Sequence, residues 1–65
     1  MNKEKMAKKL IELRGDISRE QVAVDLNISY SAIVSYETGE RVPRDELKIK
    51  IANYYKTNVE DIFFL

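Results

Sequence analysis

Residues 22–43 read VAVDLNISYSAIVSYETGERVP, and this stretch decides the fold. Asn27 is the best non-glycine residue for the left-handed backbone conformation that ends a helix and turns the chain sharply. Ser29 can then cap the next helix, which we expect over residues 30–38. Only residues 27–29 separate the two helices. Because so short a turn cannot fold them into an antiparallel hairpin, we expect the helices to meet at a steep angle.

Two helices are predicted before this turn. Met6, Leu10 and Leu13 recur at i, i+4 and i+7 between charged residues, which predicts an amphipathic first helix over residues 2–14 that ends at Gly15.

The second helix is expected over residues 19–26. Ser18 can cap it, and Gln21 stands three residues on, where it can complete a capping box. Its expected buried residues are Val22, Ala23 and Leu26.

Two further helices are predicted after the quoted stretch. Pro43 ends a loop over residues 40–43, because proline lacks an amide donor and disfavours a helical residue before it. A fourth helix over residues 44–55 then has apolar residues at helical spacing. These are Leu47, Ile51, Tyr54 and Tyr55, with Ile49 on an adjoining edge. Asn58 and Asp61 resemble a second capping box, which opens a short fifth helix. We therefore expect an all-α fold, a compact five-helix bundle without a sheet.

Length and composition limit the classes of protein to consider. A chain of 65 residues can build one domain, which we take as residues 1–65, but not two. With no Cys and no His, zinc fingers and disulfide frameworks are excluded, and we expect no cofactor and no metal. The absence of a long apolar stretch and of a signal-peptide pattern predicts a cytoplasmic protein without membrane contact.

The charge balance argues against general attraction to nucleic acid. The chain has 11 basic and 11 acidic residues and no net charge, whereas affinity for any DNA sequence comes mainly from cations that neutralise phosphates. A nucleic-acid interpretation must therefore depend on where the cations lie. The predicted first helix contains five basic residues, namely Lys3, Lys5, Lys8, Lys9 and Arg14.

The third helix is expected to divide its residues between core and surface. Ile33 and Tyr36 are three apart and can face the core together with Ile28. The opposite face is short, small and mostly polar, and it consists of Tyr30, Ser31, Val34 and Ser35. Such a face fits the major groove of B-DNA, where hydroxyl groups reach base edges and a valine can touch a thymine methyl. Together with the short turn, this pattern predicts a helix-turn-helix that binds double-stranded DNA.

The chain also resembles a known family. Over residues 6–63 it is similar to the Cro and phage-repressor type of helix-turn-helix domain, the Xre-like family, whose fold is lambda-repressor-like. The features that carry the resemblance are the L-N-I-S turn, the isoleucine in the middle of the third helix, the E-T-G-E-R tail and the ending IANYYKTNVEDIF. The resemblance implies a sequence-specific regulator of transcription, which we expect to be a repressor.

The resemblance also implies roles for individual residues. Base reading falls to Tyr30, Ser31 and Ser35, with Val34 as a further candidate. Phosphate contacts fall to Arg19, Ser29, Thr38, Arg41 and Arg44. A partly buried ion pair is implied between Arg14 and Glu37, with independent surface charges as the alternative. The sequence departs from the family at Asn27, where glycine is usual, at Arg19, which replaces a frequent glutamine, and in the short link between the first two helices.

A homodimer is expected because one recognition helix reads only a few base pairs. The chain ends in an apolar run that a short helix can turn only partly inward. We expect the interface to include Ile62, Phe63, Phe64 and Leu65; alternatively, Phe63 and Leu65 cover the bottom of the core.

Two other classes of function are alternatives to DNA binding. An enzyme is disfavoured because every candidate acid or base is explained by helix capping or by a charged face, and no small-molecule ligand is evident. A protein-interaction module on the same scaffold, such as an antitoxin or an anti-repressor with little DNA affinity, is the alternative. The neutral net charge is its best support.

Overall fold

Side-chain caps determine where the first three helices begin. Asn2 Oδ1 accepts hydrogen bonds from the backbone amides of Glu4 and Lys5, at 2.9 and 3.1 Å. Ser18 Oγ and Ser29 Oγ each accept from an amide three residues ahead, both at 3.0 Å. Each cap satisfies backbone donors that the first turn of a helix leaves unpaired.

The computed structural model describes residues 2–64, which form five α-helices and no strand. The helices are α1 (Lys3–Arg14), α2 (Arg19–Leu26), α3 (Tyr30–Glu37), α4 (Asp45–Tyr54) and α5 (Val59–Phe63). The all-α expectation is confirmed. Four residues expected at helix ends are caps instead, namely Asn2, Thr38, Arg44 and Tyr55.

The Ser18 half of the first predicted capping box is confirmed, because Ser18 Oγ accepts from the Gln21 amide. The expected return bond from the Gln21 side chain and the expected Asn58 cap are both wrong. The Gln21 side chain instead donates from Nε2 to Asp25 Oδ1 at 2.7 Å, a charged acceptor one turn along α2. Asn58 makes no side-chain cap bond, and Asp61 accepts from the Thr57 hydroxyl at 3.1 Å.

The turn between α2 and α3 has the predicted left-handed residue. Asn27 has φ 56° and ψ 46°, and the amide of Ile28 donates to the Ala23 carbonyl at 3.0 Å. This bond satisfies a carbonyl at the end of α2 and fixes the change of direction.

Gly39 lies in the turn that follows α3. Its φ is 78°, and a Cβ atom at this position would lie 3.3 Å from the Lys3 carbonyl oxygen. Both the backbone angle and the close approach of α1 favour glycine at this position.

The core lies among all five helices. α1 packs against α3 and α5, α2 packs against α3 and α4, and α5 also packs against α4. The most deeply buried large side chains are Met6, Val22, Leu26, Ile62 and Phe63. None of the helices in residues 2–64 has the length and apolar character needed to cross a membrane.

The expectation for the C-terminal apolar run needs correction. Ile62 and Phe63 are both 0% exposed, because α5 lies against α1 and α4 and inserts these two side chains into the core. They are therefore not available as a surface for a second protomer. Phe64 is 65% exposed, and Leu65 lies outside the described residues.

Candidate nucleic-acid interface

The exposed face of α3 begins at its first turn. Tyr30 is 47% exposed and Ser31 is exposed, whereas Ile33 and Tyr36 are buried at 4% and 6%. Ala32 is buried beside them, which the sequence pattern did not predict. The helix therefore packs through one stripe and leaves the side chains of its N-terminal end in solvent.

Val34 and Ser35 lie farther along α3 and are half-buried. The Ser35 carbonyl accepts hydrogen bonds from the amides of Glu40 and Arg41, at 3.0 and 3.2 Å, and from the Thr38 hydroxyl at 3.3 Å. The loop after α3 thus folds back against the helix. Of the four expected base-reading residues, Tyr30 and Ser31 are the most accessible.

A buried carboxylate at the end of α3 connects this helix to the end of α1 and to the start of α2. Glu37, with a side chain 3% exposed, accepts from Arg14 Nε at 2.8 Å and from Arg19 Nε at 2.9 Å. Arg14 also donates from a terminal nitrogen to the Ile17 carbonyl at 2.9 Å. The structure therefore brings together the two residues expected to pair, Arg14 and Glu37, and adds Arg19 to them.

Sequence reasoning missed the contact of Arg19 with Glu37. The signal that could have found it is the short link between α1 and α2, which keeps Arg14 and Arg19 close in the chain. Hydrogen bonding to Glu37, followed by hydrogen bonding to the Tyr30 hydroxyl, raises the pKa of Arg19 above its ordinary value. The group stays charged under all physiological conditions.

The remaining residues expected at phosphates lie at helix ends and in the loop. Ser29 and Thr38 use their hydroxyl groups in the local bonds described above. The Arg41 guanidinium lies over the Tyr36 ring, 5.7 Å from its centroid. Arg44 is exposed at the N-cap of α4.

An open groove lies between the turn, the loop after α3 and the start of α4. Its volume is about 450 Å³, and its apolar lining includes Ile28, Tyr36 and Leu47. Its charged lining consists of Arg41, Arg44 and Lys50, with Glu46 as its carboxylate. Lys50 was not anticipated from the sequence. The protein thus concentrates positive charge locally although its net charge is zero.

The exposed Phe64 ring lies beside the ammonium group of Lys48. Lys48 Nζ lies 5.7 Å from the ring centroids of both Phe63 and Phe64. Ile49, the next residue on α4, is 55% exposed. The α4–α5 region therefore keeps two large apolar side chains in solvent.

Comparison with known proteins gives one finding. A family model described as helix-turn-helix matches residues 8–62, more than four fifths of the chain, and this range includes every residue expected at base edges or phosphates. No curated protein and no solved structure matches the chain.

Proposed function

The chain belongs to the Cro and phage-repressor (Xre-like) type of helix-turn-helix family, whose members are DNA-binding regulators, and from this membership we propose that it is a sequence-specific repressor of transcription. The proposed repressor reads the major groove of double-stranded DNA with α3. Its partners are then an operator DNA and a second copy of the chain.

The exposure pattern of α3 carries this proposal. Tyr30 and Ser31 project from the first turn, while Ile33 and Tyr36 hold the helix on the core. A helix presented in this way can enter a major groove about 12 Å wide with its N-terminal end first. The hydroxyl groups of Tyr30, Ser31 and Ser35 can donate to or accept from base edges, and Val34 can contact a thymine methyl.

Phosphate contacts surround this face in the proposal. Arg19 lies at the start of α2, and Ser29 at the start of α3 keeps a hydroxyl proton to donate while its oxygen serves as a cap. Thr38, Arg41 and Arg44 follow α3 and flank it on the loop side. The local charge of the arginines among these residues supplies the attraction that the neutral total charge does not.

A symmetric dimer completes the proposed mode of binding. Two recognition helices must lie about 34 Å apart to enter successive major-groove turns. The protomer measures 26 × 22 × 22 Å, so two copies in side-by-side contact can span this distance. The exposed Phe64 is the residue we assign to the contact, because exposed apolar surface marks interaction sites and a two-fold contact buries the same surface of both copies.

The proposal is tested by selecting bound sites from a pool of random duplexes. We expect an enriched sequence with two half-sites in inverted orientation. In addition, the protein is titrated with random duplex at several salt concentrations to measure binding that does not depend on sequence. The protein-interaction module, which the zero net charge favours, predicts no enriched site and no binding of any duplex at physiological salt.

A further inference from the structure

Glu37 holds two arginines at once, and the two are not equivalent. Arg14 has a side chain 17% exposed and donates to both Glu37 and the Ile17 carbonyl, so it is committed to the fold. Arg19 has a side chain 31% exposed and uses Nε for Glu37. The terminal nitrogens of the Arg19 guanidinium carry its remaining N–H donors, which Glu37 leaves for the Tyr30 hydroxyl and for a further acceptor.

We propose that Glu37 is a positioning residue for DNA binding, which holds the Arg19 guanidinium by Nε so that its terminal nitrogens face a phosphate beside Tyr30. This inference rests on the proposed function. It assigns Glu37, a buried carboxylate at the end of α3, a part in the contact made at the start of α2.

Charge explains why a carboxylate can support binding of another anion. The Arg14 guanidinium already balances Glu37, so the group of three side chains has one net positive charge. Arg19 can therefore serve Glu37 and a phosphate together without leaving either anion unpaired. Without Glu37, its long side chain would have to be ordered at the moment of binding, which lowers affinity.

The geometry of the guanidinium is essential to this arrangement. Its planar fork offers Nε on one edge and the terminal nitrogens on others, whereas a lysine ammonium is a single compact charge. Lysine at position 19 keeps the charge but cannot hold Glu37 and a phosphate in the same way. An arginine that contacts a phosphate alone should tolerate lysine better. Arg44 is exposed at the N-cap of α4 and serves as that matched control.

The test measures binding of the selected duplex and of an unrelated duplex by fluorescence anisotropy at several salt concentrations. Binding is measured at a temperature at which circular dichroism shows that every variant is folded. We expect Arg19→Lys to weaken binding of both duplexes about tenfold, the size of one charge-assisted hydrogen bond. Arg44→Lys should also weaken binding of both duplexes, but by no more than about threefold, because lysine keeps the single charge that a phosphate contact at this position uses.

A double-mutant cycle with Glu37→Gln separates positioning from a purely structural role. The change removes a negative charge, so simple electrostatics predicts tighter binding. Positioning predicts weaker binding in the wild-type background and no further loss in the Arg19→Lys background. Tighter binding by Glu37→Gln, or equal effects in both backgrounds, overturns the inference. If Glu37→Gln does not fold, the comparison of Arg19→Lys with Arg44→Lys decides alone.

Failure of the proposed function has a different outcome. A wild type that binds neither duplex overturns the proposed function and this inference with it. A wild type that binds, with Arg19→Lys and Arg44→Lys weakened equally, overturns only the role of Glu37.

Discussion

Lys50 Nζ of α4 lies 2.6 Å from the carbonyl oxygen of Leu26, the last residue of α2. The ammonium therefore caps the helix that precedes the turn, where the helix dipole favours a cation. Since Asn27 follows directly, this bond fixes the point from which α3 starts.

Replacing Lys50 by methionine should therefore destabilise the fold. Methionine keeps most of the aliphatic stem but removes the donor, and a hydrogen bond to a charged group contributes about 1.5–3 kcal/mol. We expect a loss near the lower end, because the bond is only partly buried. Urea unfolding measures the loss, with Lys8→Met at an exposed position of α1 as control. Equal midpoints for the two variants would show that Lys50 does not hold α2.

Removal of the Glu37 carboxylate should cost more than removal of any exposed acid. Glu37→Ala leaves two partly buried guanidinium groups without their shared partner, and breaking such a pair costs on the order of 3 kcal/mol. That is a large share of the stability of so small a domain.

The matched control for this change is Glu12→Ala. Glu12 also pairs with a cation, Lys9 at 3.7 Å, but its side chain is 73% exposed. We expect that variant to lose less than about 1 kcal/mol. The measurement is the free energy of unfolding in urea, and similar losses in both variants would contradict a structural role for the buried group.

Alkaline pH should destabilise the protein through Tyr55. Burial, and then the nearby Glu37 carboxylate, raises the pKa of Tyr55 to about 12, whereas an unfolded tyrosine has a pKa of about 10. The unfolded state therefore loses its proton first. The contribution is fully present below about pH 10 and is lost as the pH rises towards 12.

Tyr55→Phe tests this pH dependence. Because water reaches part of the side chain, we expect a difference of about 1 kcal/mol in the pH dependence rather than the full value of the shift. The unfolding free energy of the wild type should fall more steeply than that of Tyr55→Phe from pH 10 upward. Parallel curves would mean that the Tyr55 phenol ionises alike in both states.

Base-reading and phosphate-binding residues should respond differently to truncation. Arg41→Ala should weaken binding of the selected and unrelated duplexes about equally and flatten the salt dependence by about one unit of slope. Ser31→Ala should weaken the selected duplex alone and leave the salt slope unchanged. Competition titrations with both duplexes measure this, and a change of site preference in Arg41→Ala would contradict its assigned role.

The local features of the turn and of α3 could be predicted because they depend on neighbouring residues. Asn27 adopts the expected left-handed conformation, and the spacing of Ile33 and Tyr36 correctly separates the buried stripe from Tyr30 and Ser31. Such features follow from single-residue preferences and helical periodicity.

Features that depend on packing between distant segments could not be predicted in the same way. Residues 62–64 read Ile-Phe-Phe, and no polar residue among them indicates which side chains turn inward; only the docking of α5 on α1 and α4 decides it. The bond from Arg19 to Glu37 spans 18 positions. Such long-range partners are determined by the assembled structure.

A charge at position 64 should separate the proposed dimer into monomers. Phe64 is 65% exposed, so Phe64→Glu should leave the fold intact while placing two carboxylates at a two-fold contact. Sedimentation measures the mass, and circular dichroism measures the helical content. Val24→Glu is the control, because Val24 is 74% exposed on α2, away from α5. Dissociation of Phe64→Glu alone, with helicity kept, supports the interface. A wild type that is monomeric at high concentration, or a variant that stays dimeric, contradicts it.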